Sequence, residues 1–274
     1  MTTPGFFTHI VLISQFELRR LFTKPRGLLY LLTFAVVWLL ILYYPIRFAS
    51  RMIVEGQRSV GVFRIFEFFG FDSLLFWQIP EFGVFWYFAL LIFPSLSIFI
   101  AADQTCLDRE RGTLRVLGLR TTRDRLFFGR FAGVMLIQTI LMLVTLLSTL
   151  VLVVFRESAL VSPGLNSILA ILVNLSIVVM PFTALMAVLS AALKSSRQAT
   201  IWGILILSFL SGIIGILSNQ LPLLAYLKVL IPGYQLTELG RLAQWESLQL
   251  AYIPVLQTIV LLAIGRWIMG RQSL

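Results

Sequence analysis

Most of the charge available for chemistry in this chain lies in one segment, residues 103–130. The segment holds seven arginines and four acids, and long apolar runs precede and follow it. Because charged side chains are costly inside a bilayer, the segment is predicted to lie in water beside a membrane. A charged segment held between two membrane spans is suited to binding a partner in the cytosol rather than to catalysis within the bilayer.

Within this segment, charged and apolar side chains separate onto two faces of a predicted short helix. The charged face consists of Asp108, Arg111 and Arg115. The apolar face consists of Leu107, Leu114 and Leu117. A helix of this kind fits a groove on a partner protein. The alternative is a basic loop that only sets membrane topology, because cytosolic loops are enriched in positive charge.

Residue sets for other chemistries do not occur in the sequence. The single histidine, His9, lies outside the apolar runs, so no Ser/His/Asp set is expected within a span. No phosphate-binding loop of the Gly-x-x-x-x-Gly-Lys-Ser/Thr type is present. The one cysteine, Cys106, has no second cysteine to pair with and no metal-ligand spacing around it. We therefore expect no enzymatic activity, metal or cofactor on this chain.

The composition predicts an integral membrane protein. Of 274 residues, 59% are hydrophobic and 12% are charged, which is too apolar for a soluble domain. A helical span needs about 20 apolar residues, and the windows that meet or nearly meet this length are 27–46, 82–102, 131–155, 158–193, 198–227 and 247–265. A membrane barrel would instead show short alternating segments. We predict an all-α protein with six transmembrane helices in a single domain, 1–274.

The positive charge is distributed unequally between the two predicted sides. Six spans place both termini on one side together with residues 103–130 and 194–197, and most of the 22 lysines and arginines fall there. Cytosolic loops carry such an excess, so both termini are predicted to be cytoplasmic. The net charge of +10 is explained by this bias, and no nucleic-acid partner is expected.

Two segments on the predicted cytosolic and outer sides have amphipathic or aromatic character. Residues 5–24 predict an amphipathic helix that ends at Lys24-Pro25. It would lie at the membrane interface, or it is an ordinary basic flank. Residues 47–81 contain many phenylalanines and predict an outer interfacial segment, which serves as an anchor or a lateral gate, or contacts an extracytoplasmic partner.

Two breaks are predicted in the second half of the chain. Ser162-Pro163-Gly164 is expected to form an external turn, because the fourth window is longer than one crossing. Residues 218–248 contain a short apolar piece broken by Pro232-Gly233, which predicts a re-entrant hairpin before the sixth span.

Small polar residues recur at helical spacing in three spans. They are Gln138, Thr145, Thr149, Ser176, Thr183, Ser190, Ser208 and Ser211. Two interpretations remain open, because such residues either pack helices together or line a translocation path. No ionisable residue lies in the middle of a span, which argues against an ion-coupled carrier.

The charged segment also resembles a known family. The residues that carry the likeness are Asp108-Arg109-Glu110-Arg111-Gly112-Thr113-Leu114, followed by Leu117, Arg123 and Gly129-Arg130. They resemble the segment after the second span of type-2 ABC transporter permeases (ABC-2). Glu17-Leu18-Arg19-Arg20-Leu21 is similar to that family's N-terminal amphipathic helix. One departure is Arg120, which stands where a proline is often found.

The resemblance implies a permease without its own ATPase. Two copies of the chain would pair with two copies of a separate ATPase subunit, which holds ATP and Mg, in the cytoplasmic membrane of a bacterium. The implied coupling helix lies in a cytosolic loop, 103–126, between the second and third spans, and its residues are Leu107, Asp108, Arg109, Glu110, Arg111, Gly112, Thr113, Leu114 and Leu117. A secondary ATPase contact is implied at Glu17, Arg19 and Arg20.

Two functions are compatible with that resemblance. The first is export of a lipid-like, amphipathic or glycan substrate. The alternative is a subunit that transmits ATP-driven motion to an extracytoplasmic partner, without bulk transport, through residues 47–81.

Overall fold

The computed structural model describes residues 6–48, 51, 77–110, 112, 121–220, 228–242 and 244–271. These residues form helices and turns, and no strand occurs among them. The α-helices, in chain order, are α1 Phe6–Thr23, α2 Pro25–Ile41, α3 Pro80–Ala101, α4 Asp103–Glu110, α5 Arg123–Arg156, α6 Val161–Ala192, α7 Ser196–Gln220, α8 Leu236–Arg241 and α9 Tyr252–Arg271.

The predicted fold class is confirmed by six helices that are long and apolar enough to cross a membrane. They cover Gly27–Ile46, Pro80–Glu110, Arg123–Arg156, Ser158–Ala192, Ser196–Ile216 and Tyr252–Arg271. The first crossing joins α2 to a π-helical turn at Leu42–Ile46, where Pro45 lacks the N–H that a regular α-helical bond needs. The second crossing consists of α3 together with α4. The remaining four crossings correspond to α5, α6, α7 and α9.

The crossings alternate in direction, so two ends of the bundle can be distinguished. At one end, which we call the terminal face, α1 and α4 pack against the first turns of α5, α4 also meets the end of α6 and the start of α7, and the last turn of α9 meets the start of α5. Ser14 of α1 there donates to the Gly129 carbonyl at 3.3 Å, and Arg123 donates to the Gly270 carbonyl at 3.0 Å. At the opposite, distal face, Arg156 at the end of α5 pairs with Glu81 at the start of α3.

Helix α6 is the centre of the bundle, whereas α2 and α7 lie at its periphery. Two thirds of the α6 crossing is buried within the chain, against 11% of the first crossing and 17% of α7. The α2 helix is attached through aromatic rings, because Trp38 stacks on Phe85 with 5.1 Å between ring centroids and also contacts Phe93. Apolar faces of α2 and α7 therefore remain available to lipid or to another chain.

The predicted external turn at Ser162-Pro163-Gly164 is wrong by a few residues. The turn falls at Glu157 and the 3₁₀ segment Ser158–Leu160, and α6 already begins at Val161. Proline is tolerated in the first turn of a helix, because its missing N–H has no intrahelical acceptor there. Pro163 therefore lies in the first turn of α6 and does not interrupt the helix.

The distal face is covered by residues 228–250. They contain the short helix α8 and the 3₁₀ segment Gln244–Leu250. The Trp86 indole donates to the Leu239 carbonyl at 2.9 Å, and the Gln257 amide donates to the Val229 carbonyl at 2.6 Å. Residues 221–227 of the predicted hairpin, and most of the predicted interfacial segment 47–81, lie outside the described residues, so both stay predictions.

Candidate functional site

The charged residues of the terminal face form a buried network that joins three helices. Arg130 of α5 forms ion pairs with Glu17 of α1 and with Asp108 of α4. The exposed fractions are 3% for Arg130 and 8% for each acid. Arg20 adds a contact of 3.4 Å with Glu17. The planar guanidinium of arginine can engage two carboxylates at once, so one side chain ties α1 and α4 to the start of a span.

Two glycines make the close approach of α1 and α5 possible. Gly129 and Gly133 flank Arg130 with the spacing Gly-x-x-x-Gly, which is typical of close helix contacts in membranes. A Cβ on Gly129 would lie 2.9 Å from the Cβ of Ile13, and one on Gly133 would lie 3.1 Å from the Cβ of Glu17. The absence of side chains at both positions lets Glu17 reach Arg130.

Helix α4 is attached to the last turn of α6 through Ser190. The Ser190 hydroxyl accepts from the backbone N–H groups of Thr105 and Cys106 at 2.9 and 3.0 Å. These N–H groups belong to the first turn of α4, where a helix has no acceptor of its own. Ser190 therefore caps α4 from a different helix. The Cys106 thiol, fully buried, donates in turn to the Ser190 carbonyl at 3.2 Å.

Two side chains of opposite charge in the last turn of α4 bind the two helix ends that meet between α6 and α7. The Arg109 guanidinium donates to the carbonyls of Leu193 and Ala191 at 2.6 and 2.8 Å, at the end of α6. The Glu110 carboxylate accepts from the Ser196 backbone N–H at 3.3 Å, at the start of α7. A cation at a helix C-terminus and an anion at an N-terminus both complement the helix dipole. Asp103 also accepts from the Ser196 hydroxyl.

Gly112 ends this helix. Its φ of +67° is in the left-handed region, and its N–H bonds to the Arg109 carbonyl at 3.1 Å. Glycine adopts this conformation without steric cost and is common just after the last helical residue. Gly112 of the predicted coupling segment therefore marks the point where α4 stops.

The structure brings some of the predicted coupling residues together and leaves others outside its description. Asp108, Arg109 and Glu110 are consecutive in α4, but the first two face other helices of this chain. Glu110 is exposed to solvent, although its carboxylate accepts from the Ser196 backbone N–H. Leu107 is described only in its backbone, and Arg111, Thr113, Leu114 and Leu117 lie outside the described residues. Docking of this segment on an ATPase stays a prediction.

The three residues of the predicted secondary ATPase contact also differ in their orientation. Glu17 is turned inward to Arg130, Arg20 is half-buried beside it, and Arg19 is exposed. Of these three, Arg19 is the residue that the structure leaves available for a partner.

The predicted polar stripes lie mainly between helices. The buried members are Gln138, Thr145, Thr149, Thr183 and Ser190. Thr183 of α6 donates to the Gln138 side chain of α5 at 3.2 Å, and Thr149 donates to the carbonyl one turn earlier. Ser176 is partly buried near Met142, whereas Ser208 and Ser211 of α7 are exposed. The Thr183–Gln138 contact joins α6 to α5, and whether members of the stripes also line a translocation path stays a prediction.

Sequence reasoning missed the role of Arg130 and the distal ion pair. In the sequence, Arg130 belongs to the motif that carries the family resemblance, and its role in joining helices was not predicted. The glycines on either side of it are nevertheless a signal of close helix packing. Glu81 is 3% exposed and receives both Nε and Nη2 of Arg156, at 2.8 and 3.1 Å. No sequence signal links these two residues, because they belong to different spans.

Comparison with known proteins agrees with this architecture. The sequence profile described as ABC-2 family transporter protein matches residues 11–269. The chain belongs to the ABC-2 family. A comparison with curated proteins found no match. In this ABC-2 permease the matched region begins within α1 and ends within α9, so the terminal-face network lies inside the family domain.

The charged residues at the terminal face of this ABC-2 permease hold helices against one another. Among the described residues, no group of three or more histidines, cysteines or acids has a metal-binding arrangement. The acids and arginines of the site are instead engaged with each other and with helix ends. The arrangement connects three spans, α5, α6 and α7, with α1 and α4.

Proposed function

We propose that this ABC-2 permease is the membrane subunit of an exporter driven by a separate ATPase that binds the terminal face. In this proposal the ATPase binds the segment after α4, with α1 as a second contact. ATP and Mg are held by the ATPase, and two copies of each subunit form the complex. The proposal extends the family assignment, which identifies a membrane component of an ABC transporter.

The observation that carries the proposal is that α4 is attached to α1, α5, α6 and α7. Arg130 joins it to α1 and α5, Arg109 joins it to the end of α6, and Glu110 joins it to the start of α7. Packed helices with satisfied polar contacts move as rigid elements. A displacement of the segment beyond Gly112 would therefore be passed to α1 and three spans together.

The orientation follows from charge. The terminal face holds most of the lysines and arginines, including exposed Arg19, Lys194 and Arg197. Positive residues are retained on the cytosolic side during insertion. We infer that this face is cytosolic, that both termini are cytoplasmic, and that the membrane is a bacterial cytoplasmic membrane.

A lipid-like, amphipathic or glycan cargo is supported by the character of the spans. Their central regions contain no charged residue, and aromatic rings concentrate where α2 meets α3. The second copy would use the peripheral helices, because apolar faces of α2 and α7 are left uncovered by the chain itself.

The test is copurification of the ATPase from native membranes in mild detergent. A tagged wild-type chain is compared with Leu114→Asp/Leu117→Asp, which places charge on the predicted apolar docking face. Phe155→Asp is the control, because Phe155 is 86% exposed at the distal end of α5. Residues Glu110 and Arg109 are avoided in this experiment, since both hold α4 in place.

The expected result is a stoichiometric protein that carries a Walker phosphate-binding loop and hydrolyses ATP. It should be lost from the leucine double variant and retained by Phe155→Asp. Equal recovery with both variants, or no ATPase under conditions that keep other membrane complexes intact, would overturn the coupling role. ATP hydrolysis that is stimulated by added amphiphile separates export from motion transmitted to an external partner.

A further inference from the structure

A second feature of the terminal face is a cleft between α1, α2 and α3. Its mouth has a volume of about 110 Å³ and is lined by Glu17, Arg20, Lys24, Asp103 and Gln104. Its body has a volume of about 410 Å³ and is lined mainly by apolar residues, among them Phe34, Val37, Ile92 and Leu96. The body lies within the roughly 300–1,000 Å³ range of small-molecule sites.

The mouth and the body form one continuous cleft. They share five lining residues, Leu21, Tyr30, Phe99, Ile100 and Asp103. From the mouth, the cleft follows α2 from Tyr30 to Val37, and on its other side it runs from Asp103 at the start of α4 back along α3 to Ile92. Both courses run from the terminal face toward the middle of the membrane. The cleft is therefore polar at the interface and apolar at the depth of acyl chains.

The cleft opens sideways and is not enclosed by this chain. Tyr30 is 55% exposed and Phe99 is 54% exposed, although both line it. A molecule within one leaflet can enter through such an opening without crossing the headgroup layer. This geometry distinguishes the cleft from a closed core cavity.

The mouth contains a buried polar group that lacks a partner. Gln104 is 4% exposed, and its amide Nε2 has no hydrogen-bond partner among the described residues. A buried amide donor without a partner is costly, so the position favours an acceptor supplied by a ligand. A phosphate oxygen is a strong acceptor of this kind.

The charges at the mouth favour a headgroup that carries both signs. Arg20, which also contacts Glu17, and Lys24 supply positive charge, and Asp103 supplies a carboxylate that accepts from the Ser196 hydroxyl. A purely anionic headgroup would meet this carboxylate at close range. A phosphate with an attached ammonium matches cations, amide and carboxylate together.

We propose that this cleft binds a zwitterionic phospholipid from the leaflet at the terminal face. The phosphate lies near Lys24, Arg20 and Gln104, the ammonium lies near Asp103, and an acyl chain occupies the body between α2 and α3. The inference rests on the proposed function only in that the leaflet is the cytosolic one and the bound lipid, or an amphiphile of the same chemistry, is a candidate cargo.

The experiment uses the purified full-length chain in nanodiscs of phosphatidylethanolamine and phosphatidylglycerol, doped with a phosphatidylethanolamine that carries a photoreactive acyl chain. Crosslinked peptides are identified by mass spectrometry. Val37→Trp fills the body of the cleft, and its matched control is Val36→Trp, because Val36 is an exposed neighbour that does not line the cleft. Lys24→Glu tests the mouth, with exposed Lys194→Glu as its control.

Labelling is expected on 30–37 and 92–104. Val37→Trp should reduce it about tenfold, because the indole occupies the acyl-chain space. Lys24→Glu should reduce it about fivefold, the size of one exposed ionic contact, and both controls should label as the wild type does. Thermal unfolding of each variant shows that the fold is retained.

Three results would overturn the proposal. They are equal labelling in Val37→Trp and Val36→Trp, stronger competition by phosphatidylglycerol than by phosphatidylethanolamine, and crosslinks from the cleft to a second copy of the chain in place of lipid. The measurement requires neither ATP nor an ATPase. Failure of the coupling proposal would therefore leave the labelling result unchanged, and the two hypotheses fail separately.

Discussion

Asp108 and Arg130 form an ion pair that is buried at the terminal face and joins α4 to the first turns of a membrane span. The same guanidinium also pairs with Glu17, so the predicted coupling segment and the N-terminal helix converge on one side chain. A buried charge with a partner is tolerated, whereas a buried charge that loses its partner is strongly destabilising. This relationship makes Arg130 the residue on which integrity of the site depends.

Replacing Arg130 should therefore destabilise the folded chain. Arg130→Met leaves two buried carboxylates facing each other, and we expect a loss of about 3–5 kcal/mol in the free energy of unfolding. The triple variant Glu17→Gln/Asp108→Asn/Arg130→Met should recover part of this loss, because no buried charge remains. The measurement is thermal unfolding in detergent, with exposed Arg19→Met as the control. Equal melting of Arg130→Met and Arg19→Met would contradict the buried network.

Arg109 should matter through geometry as well as charge. Arg109→Lys keeps the charge but loses the fork that reaches the Leu193 and Ala191 carbonyls together. Hydrogen bonds from charged groups contribute about 1.5–3 kcal/mol, so the variant should melt earlier and show weaker coupling to the ATPase. ATP hydrolysis by the purified complex is the readout. Arg197→Lys, at an exposed site on the same face, should behave as the wild type, and a similar loss there would remove the special role of Arg109.

The distal ion pair should show a positive coupling energy. Glu81 is buried, and it receives two nitrogens of Arg156. A double-mutant cycle with Glu81→Gln, Arg156→Gln and both together should give about 1–3 kcal/mol of interaction energy. The measured quantity is the free energy of unfolding of each variant. Strictly additive effects on the free energy of unfolding would show that Glu81 at the start of α3 and Arg156 at the end of α5 do not stabilise each other.

Two glycines offer a matched test of helix packing. A Cβ at Gly265 of α9 would collide with the Phe127 ring, whereas one at Gly212 of α7 would meet nothing within 4 Å. Gly265→Ala should lower stability by about 1–3 kcal/mol through overpacking, and Gly212→Ala should be neutral or slightly stabilising because alanine favours helix. Phe127→Leu should partly rescue Gly265→Ala. No rescue, or equal effects of the two alanines, would argue against this contact.

Cys106 should report unfolding without any engineering. It is the single cysteine in the sequence and is fully buried beneath Ser190. A maleimide dye should react negligibly with the folded protein and rapidly once the chain unfolds, so fluorescence follows the transition. Ser190→Ala removes the hydroxyl that accepts from Thr105 and Cys106, and it should advance this signal to a lower temperature. Rapid labelling of the native protein would show that α4 is open.

The length and composition of the apolar runs were sufficient to predict the six spans, and the charged motif that begins at Asp108 was sufficient to predict the family. Membrane thickness is a fixed length, so a run of about 20 apolar residues predicts a crossing without knowledge of its neighbours. The turn before α6 was misplaced for a local reason: proline has two compatible positions, in a turn or in the first turn of a helix.

The partners of the charged residues were decided only by the tertiary structure. Glu17, Asp108 and Arg130 come together because Gly129 and Gly133 admit α1 to the surface of α5, and Glu81 meets Arg156 because α3 and α5 run in opposite directions. Sequence spacing specifies which residues share a helix face, but a contact between helices depends on the distance and direction at which they pack. The sequence therefore predicted a binding role for the charged segment, which stays a prediction, but it did not predict the inward orientation of Asp108 and Arg109.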